Sequence, residues 1–238
     1  MGYFGAKSAS GAFQAIVAAM PPHDTYIEAH LGSGVVMRAK PPAARQIGID
    51  LDPGALLAFA AAGGHAGIEL HVANCIGFLE RFDFSGAGRV LIYADPPYVL
   101  ATRSSAKRYL FDYADDDHRR LIACLRGVPA AVMISGYPSE LYDELLADWR
   151  TFRFQAMTRG GPRTEQLWLN FPAGQVQWAR FAGKDFTDRQ RIKRKAARWA
   201  AHYRRLPAGE RLAVLAALLE EHGDSDIADV VYRRSPAA

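Results

Sequence analysis

The chain has 238 residues, half of them hydrophobic and 23% charged, an ordinary composition for one substantial globular domain with a small appendage. No apolar run approaches the roughly 20 residues that a membrane span needs, and the N-terminus, MGYFGAKSASGAF, lacks the apolar stretch and cleavage site of a secretory signal. The net charge is only +4, yet Lys184 to Arg205 holds nine basic residues and two acids, so that segment carries +7 and the rest of the chain −3.

That asymmetry points to a polyanion as partner. The two cysteines, Cys75 and Cys124, have no metal-type spacing and read as reduced thiols of a cytoplasmic protein.

In chain order, Ser10 to Met20 reads as a helix stopped by Pro21-Pro22. Thr25 to Ala29 is a short strand leading into HLGSG. Gln46 to Leu51 (QIGIDL) is a second apolar strand that ends in acid, and Pro53 to Ala62 is a helix closed by Gly63-Gly64. Leu70 to Ala73 is a weak third strand. Val90 to Ala94 is a fourth, which must end at DPPY because two prolines have no N–H to give a ladder. Val99 to Tyr113 reads as a basic loop. Asp115-Asp116-Asp117 opens a helix to Leu125, the acids serving as N-terminal caps. Ala130 to Ser135 is a buried strand, and Pro138 starts a helix to Ala147. Thr151 to Met157 and Gln166 to Phe171 flank RGGPR as a hairpin.

Five strand–helix alternations followed by an antiparallel pair predict an α/β, doubly wound, mostly parallel sheet with helices on both faces. From Phe181 the pattern changes. Ile192, Ala196, Trp199 and Tyr203 recur on one helical face, with Arg191, Arg194, Lys195, Arg198 and Arg205 largely around the rest. Pro207 begins a second amphipathic helix, ended by Gly223. The division is therefore a body over 1–180 and a basic helical extension over 181–238, which packs on the body or pairs with another subunit.

Three motifs fall at strand ends, where such sheets bind ligands. Glu28 to Gly34 (EAHLGSG) allows a ligand close to the backbone; its plain alternative is a tight turn that needs glycine torsions. There is no third glycine and no G-K-[ST], which disfavours NAD and ATP. Asp50, about twenty residues on, suits a ribose diol, while Asp52 is the better helix cap. In DPPY, Asp95 and the carbonyl of Pro96 can accept both hydrogens of an exocyclic amine, and Tyr98 can stack on a flat heterocycle.

The ordered set YFGAKSASG, IEAHLGSGVV, IGIDLD, IYADPPYV, MISGY and TEQLWLNF, over Gly2 to Phe171, resembles the Dam-like adenine-N6 DNA methyltransferases, in particular the small phage and prophage members. The resemblance implies a seven-stranded sheet, S-adenosylmethionine as cofactor, and transfer to the N6 amine of an adenine flipped from the duplex. It implies that Asp95, Pro96, Pro97 and Tyr98 hold the target adenine. It places Tyr3, Lys7, Glu28, His30, Gly32, Gly34, Asp50, Asn74 and Asp95 around the cofactor, Lys7 at its methionine end and Asp50 at its ribose.

The chain departs from that family at three points. His30 stands where an aromatic is usual, and it is assigned stacking but no proton transfer. Asn74 replaces an acid. Only 20 residues separate Asn74 from Asp95, too few for the target-recognition insertion of larger members. Two basic segments stand in for it as DNA contacts: the loop with Arg103, Lys107 and Arg108, and the helix with Arg191, Arg194, Lys195 and Arg198. Phosphate contacts carry little sequence information, so a short or relaxed recognition sequence is expected. RNA adenine or a protein amide as acceptor, and an inactive DNA-binding relative, are the competing readings.

Overall fold

The computed structural model describes residues 11–63, 66–102, 111–158, 161–173, 182–183 and 186–221. Seven strands form one sheet: β1 (Thr25–Glu28), β2 (Arg45–Asp50), β3 (Ile68–Val72), β4 (Val90–Ala94), β5 (Ala131–Gly136), β6 (Arg150–Thr158) and β7 (Gly161–Leu169). Their order is β3-β2-β1-β4-β5-β7-β6. The first five run parallel, and β7 runs against both β5 and β6.

Two apolar faces sandwich this sheet. Tyr26, Leu91, Tyr93, Met133, Leu167 and Leu169 point to one side, beneath α1 (Ala12–Ala18), α2 (Val35–Ala39) and α3 (Pro53–Ala61). The alternate residues Ile27, Ile47, Ile92, Ile134 and Trp168 point to the other, beneath α4 (Cys75–Leu79), α5 (Asp115–Gly127) and α6 (Glu140–Leu145). Residues i and i+2 of a strand share a face, so near-continuous apolar runs supply both layers. Each fully buried Leu- or Phe-sized chain contributes about 1.5–3 kcal/mol.

The caps follow local chemistry. Asp52 accepts from the Gly54 amide at the start of α3, and Asp117 accepts from the Ala114 amide at the start of α5. Two readings need correction. The helix expected from Pro138 to Ala147 spans Glu140–Leu145, because Ser139 caps it through the Tyr142 amide. The hairpin loop expected at RGGPR is tighter, with β7 already running at Gly161 and the register Met157↔Pro162 within the ladder. That part of β7 lies beyond its last β5 partner, Gln166↔Gly136, so Pro162 interrupts no ladder on that side.

The extension forms α7 (Phe186–Arg205) and α8 (Ala208–Glu221), and no residue of α7 is buried. Tyr203 donates to the Arg211 carbonyl and so ties the two helices at their turn. Gly223 lies outside the described residues. Among the described residues, no helix is long and apolar enough to cross a membrane.

Candidate active site

The chain folds one way from β1 and the other way from β4, so the crevice between their carboxyl ends is the topological switch point. β4 ends at Ala94, before Asp95-Pro96-Pro97-Tyr98. Asp95 follows Tyr93 by two residues and Ser135 follows Met133 by two, so both side chains emerge on one face of paired strands. There Ser135 donates to Asp95 Oδ1 at 2.7 Å. Its single proton is thereby committed, so the Tyr93 hydroxyl is the donor in its 2.8 Å contact with Ser135 Oγ. The result is a relay, Tyr93 to Ser135 to Asp95, that orients a carboxylate at the strand end.

Tyr98 is anchored from the neighbouring hairpin. Its hydroxyl donates to Oε1 of the buried Glu165 at 3.3 Å. Its ring leans on Tyr137, with centroids 4.3 Å apart and planes at 43°. The Arg163 guanidinium lies over the Tyr137 ring. Pro96 is buried, and Pro97 and Tyr98 are partly exposed.

On the β1 side, Gly32 and Gly34 both adopt left-handed backbone, with φ 49° and 61°. The Gly32 amide donates to Asp50 Oδ2 at 2.7 Å, and the Asp52 amide donates to Oδ1 at 2.9 Å. Asp50 therefore pins the glycine turn to the end of β2, and burial raises its pKa. A Cβ on Gly34 would lie 2.2 Å from Cδ2 of Phe59, so close packing against α3 also demands glycine there.

Glu28 is 3% exposed at the end of β1 and accepts from the Tyr26 hydroxyl at 3.0 Å. Burial pushes its pKa up to about 8, and the neighbouring charge of Asp95 pushes the same way. A protonated Glu28 at neutral pH spares this corner a second negative charge beside Asp95.

His30 binds inward. Its Nε2 meets the Tyr113 hydroxyl at 3.1 Å and Sγ of Cys75 at 3.7 Å. Burial lowers its pKa to about 3, which keeps the ring neutral, and raises that of Cys75 to about 11, which keeps the thiol protonated. From Tyr113 the contacts continue through His118 to Tyr142, whose hydroxyl meets His118 Nδ1 at 2.9 Å, and then to Trp168. Asn74 is exposed after β3, and its Oδ1 caps α4 by accepting from the Ile76 and Gly77 amides.

Glu28, His30, Gly32, Gly34, Asp50, Asn74, Asp95, Pro96, Pro97 and Tyr98 thus stand at or shortly beyond the carboxyl ends of adjacent strands, along one edge of the sheet. Tyr3, Lys7, Arg103, Lys107 and Arg108 lie outside the described residues. Arg191, Arg194, Lys195 and Arg198 belong to α7. Sequence reasoning missed Ser135, Tyr137 and Glu165. Ser135 and Tyr137 stand in the quoted MISGY and Glu165 in TEQLWLNF, but no local spacing links them to Asp95 or Tyr98.

No family model matches the chain, and no curated protein matches it. Among solved structures it is similar to a putative O-methyltransferase from Klebsiella pneumoniae, with 14% identity, 71% of this chain and 84% of the other covered, and a TM-score of 0.48. For the N-methyltransferase NodS from Bradyrhizobium japonicum the figures are 12%, 66%, 90% and 0.46. For the O-methyltransferase TomG from Streptomyces achromogenes they are 17%, 66%, 77% and 0.44. None of these likenesses bears on which residues act, or on what substrate. The chain's own topology defines its class: a seven-stranded sheet of this order, with β7 alone reversed and helices on both faces, is the Rossmann-like class I methyltransferase fold.

Proposed function

We propose that this chain is an S-adenosylmethionine-dependent methyltransferase acting on the N6 amine of adenine in DNA. The observation that carries the reading is Asp95, oriented by Ser135 and followed by two prolines and the anchored ring of Tyr98 at the switch point. The residues of the β1–β2 side fit the cofactor. A carboxylate has about four acceptor positions, so Asp50 can accept ribose hydroxyls beside the amides it already holds. The left-handed glycine turn brings backbone rather than side chains to the ligand. The ends of β2 and β4 are two strands apart, about 10 Å, which suits a ribose at one end and a reacting methyl at the other.

Bound there, S-adenosylmethionine would supply an electrophilic methyl on a sulfonium, with the neutral thioether as leaving group, to the lone pair of the amine nitrogen. Asp95 and the Pro96 carbonyl accept the two amine hydrogens and direct that lone pair. The Asp95 carboxylate takes the proton that the methylated nitrogen sheds. Tyr98 stacks on the adenine, offsetting part of the few kcal/mol that extrusion from the duplex costs. The short link between β3 and β4, which holds only α4 and a loop, leaves no recognition module there and supports relaxed sequence preference.

The test is mass spectrometry of nucleosides from unmethylated DNA incubated with cofactor and protein, beside Asp95→Ala. N6-methyladenine from the wild type alone is expected. Methyl transfer to RNA or protein but not DNA, in parallel incubations, would overturn the DNA reading.

A further inference from the structure

We infer that the basic face of α7 is a duplex-DNA phosphate grip, supplying the affinity that the sheet domain lacks; the inference rests on the DNA-substrate reading. The first argument is charge. Over Phe186–Arg205 there are eight Lys and Arg against one Asp, a local +7, so the rest of the chain carries −3 of the overall +4. Duplex DNA carries one negative charge per ~1.7 Å of axis. The body over 1–180 holds 17 basic and 17 acidic residues, so it gains no net Coulomb attraction to such a polyanion, and the −3 falls beyond α7, over 206–238; the attraction has to come from the concentrated basic element.

The second argument is geometry. At about 100° per residue, Arg191, Arg194, Lys195, Arg198 and Arg205 fall within about 100° of arc, on a face separate from the stripe of Ile192, Trp199 and Tyr203 and centred about 110° around the helix from it. The helix is 20 residues long, about 30 Å, enough to follow a groove across several phosphates. No residue of it is buried, and the five cations are exposed. Arg191 alone of the five forms an ion pair among the described residues, with Asp188 on the same helix. Unlike a basic stem folded over the core, this face is presented to solvent along its whole length. α8 carries more acids than bases and is no part of the grip.

The experiment measures fluorescence anisotropy of the full chain on a duplex of arbitrary sequence, between 50 and 200 mM salt. Five phosphate contacts predict a log–log slope of about −4.5, hence roughly 500-fold weaker binding across that range. Replacing Arg191, Arg194, Lys195, Arg198 and Arg205 together by Gln is expected to flatten the slope and lower affinity at 50 mM by at least tenfold, with unchanged circular dichroism. The all-Lys version of the same five positions should keep the slope, since charge rather than the guanidinium fork does the work. An all-Gln variant with wild-type slope and affinity would overturn the inference. So would a wild type that binds anionic phosphatidylserine vesicles but no DNA. The readout is binding, so DNA held through α7 without methyl transfer would overturn the proposed reaction and leave the grip standing.

Discussion

The Ser135→Ala substitution removes one oxygen from the relay behind Asp95. Ser135 is fully buried, it donates to Asp95 Oδ1 at 2.7 Å, and it accepts from Tyr93 at 2.8 Å. Hydrogen bonds to a charged group are worth about 1.5–3 kcal/mol. If that energy is used to hold the carboxylate in its productive rotamer, kcat should fall roughly 10- to 150-fold at about 1.4 kcal/mol per decade. The affinity for S-adenosylmethionine should not move, because Ser135 lies near the end of β5, away from the Asp50 turn at the end of β2. The assay is steady-state methylation of DNA, with kcat and KM resolved, beside cofactor titration by calorimetry. Ser135→Thr keeps the hydroxyl on a strand that tolerates β-branching and should recover most of the rate. A folded Ser135→Ala enzyme with kcat within twofold of an active wild type would refute the relay.

Two further outcomes follow from the β1 side. Gly34→Ala puts a Cβ 2.2 Å from the Phe59 ring at a left-handed φ, and should lower stability by about 2–4 kcal/mol in urea unfolding; a loss below 0.5 kcal/mol would mean the turn can relax. Glu28 holds a proton in the folded chain up to about pH 8, whereas its unfolded value is 4.5. Stability should therefore fall as pH rises through that window and level off above it, by an amount on the order of a few kcal/mol. Glu28→Gln should remove this slope, and identical pH profiles of unfolding for the two proteins would rule the assignment out.

Much of the fold was legible because its signals are local. Pro96 and Pro97 lack the N–H of a ladder, so β4 had to end at Ala94. Asp52 sits just ahead of Pro53 and caps its own helix. The start of β7 was not legible. Gly161 and Pro162 look like turn residues, and only the projection of the β6–β7 ladder beyond β5 makes strand geometry acceptable there. Nor were the contacts of His30 with Tyr113 and Cys75 legible, because they are made by side chains 83 and 45 residues away.

By itself, the sequence determined the alternation of strands and helices, the strand ends where Asp50 and Asp95 stand, and the concentration of positive charge after residue 184. Those depend on residues a few positions apart, through N–H count, torsional freedom and apolar period. Only the tertiary structure decided that Ser135 backs Asp95, that Glu165 anchors Tyr98, and that the basic helix stands unburied. Each of these depends on which strands become neighbours and on which face a side chain emerges, and in a sheet a one-residue change of register would send every side chain to the other face.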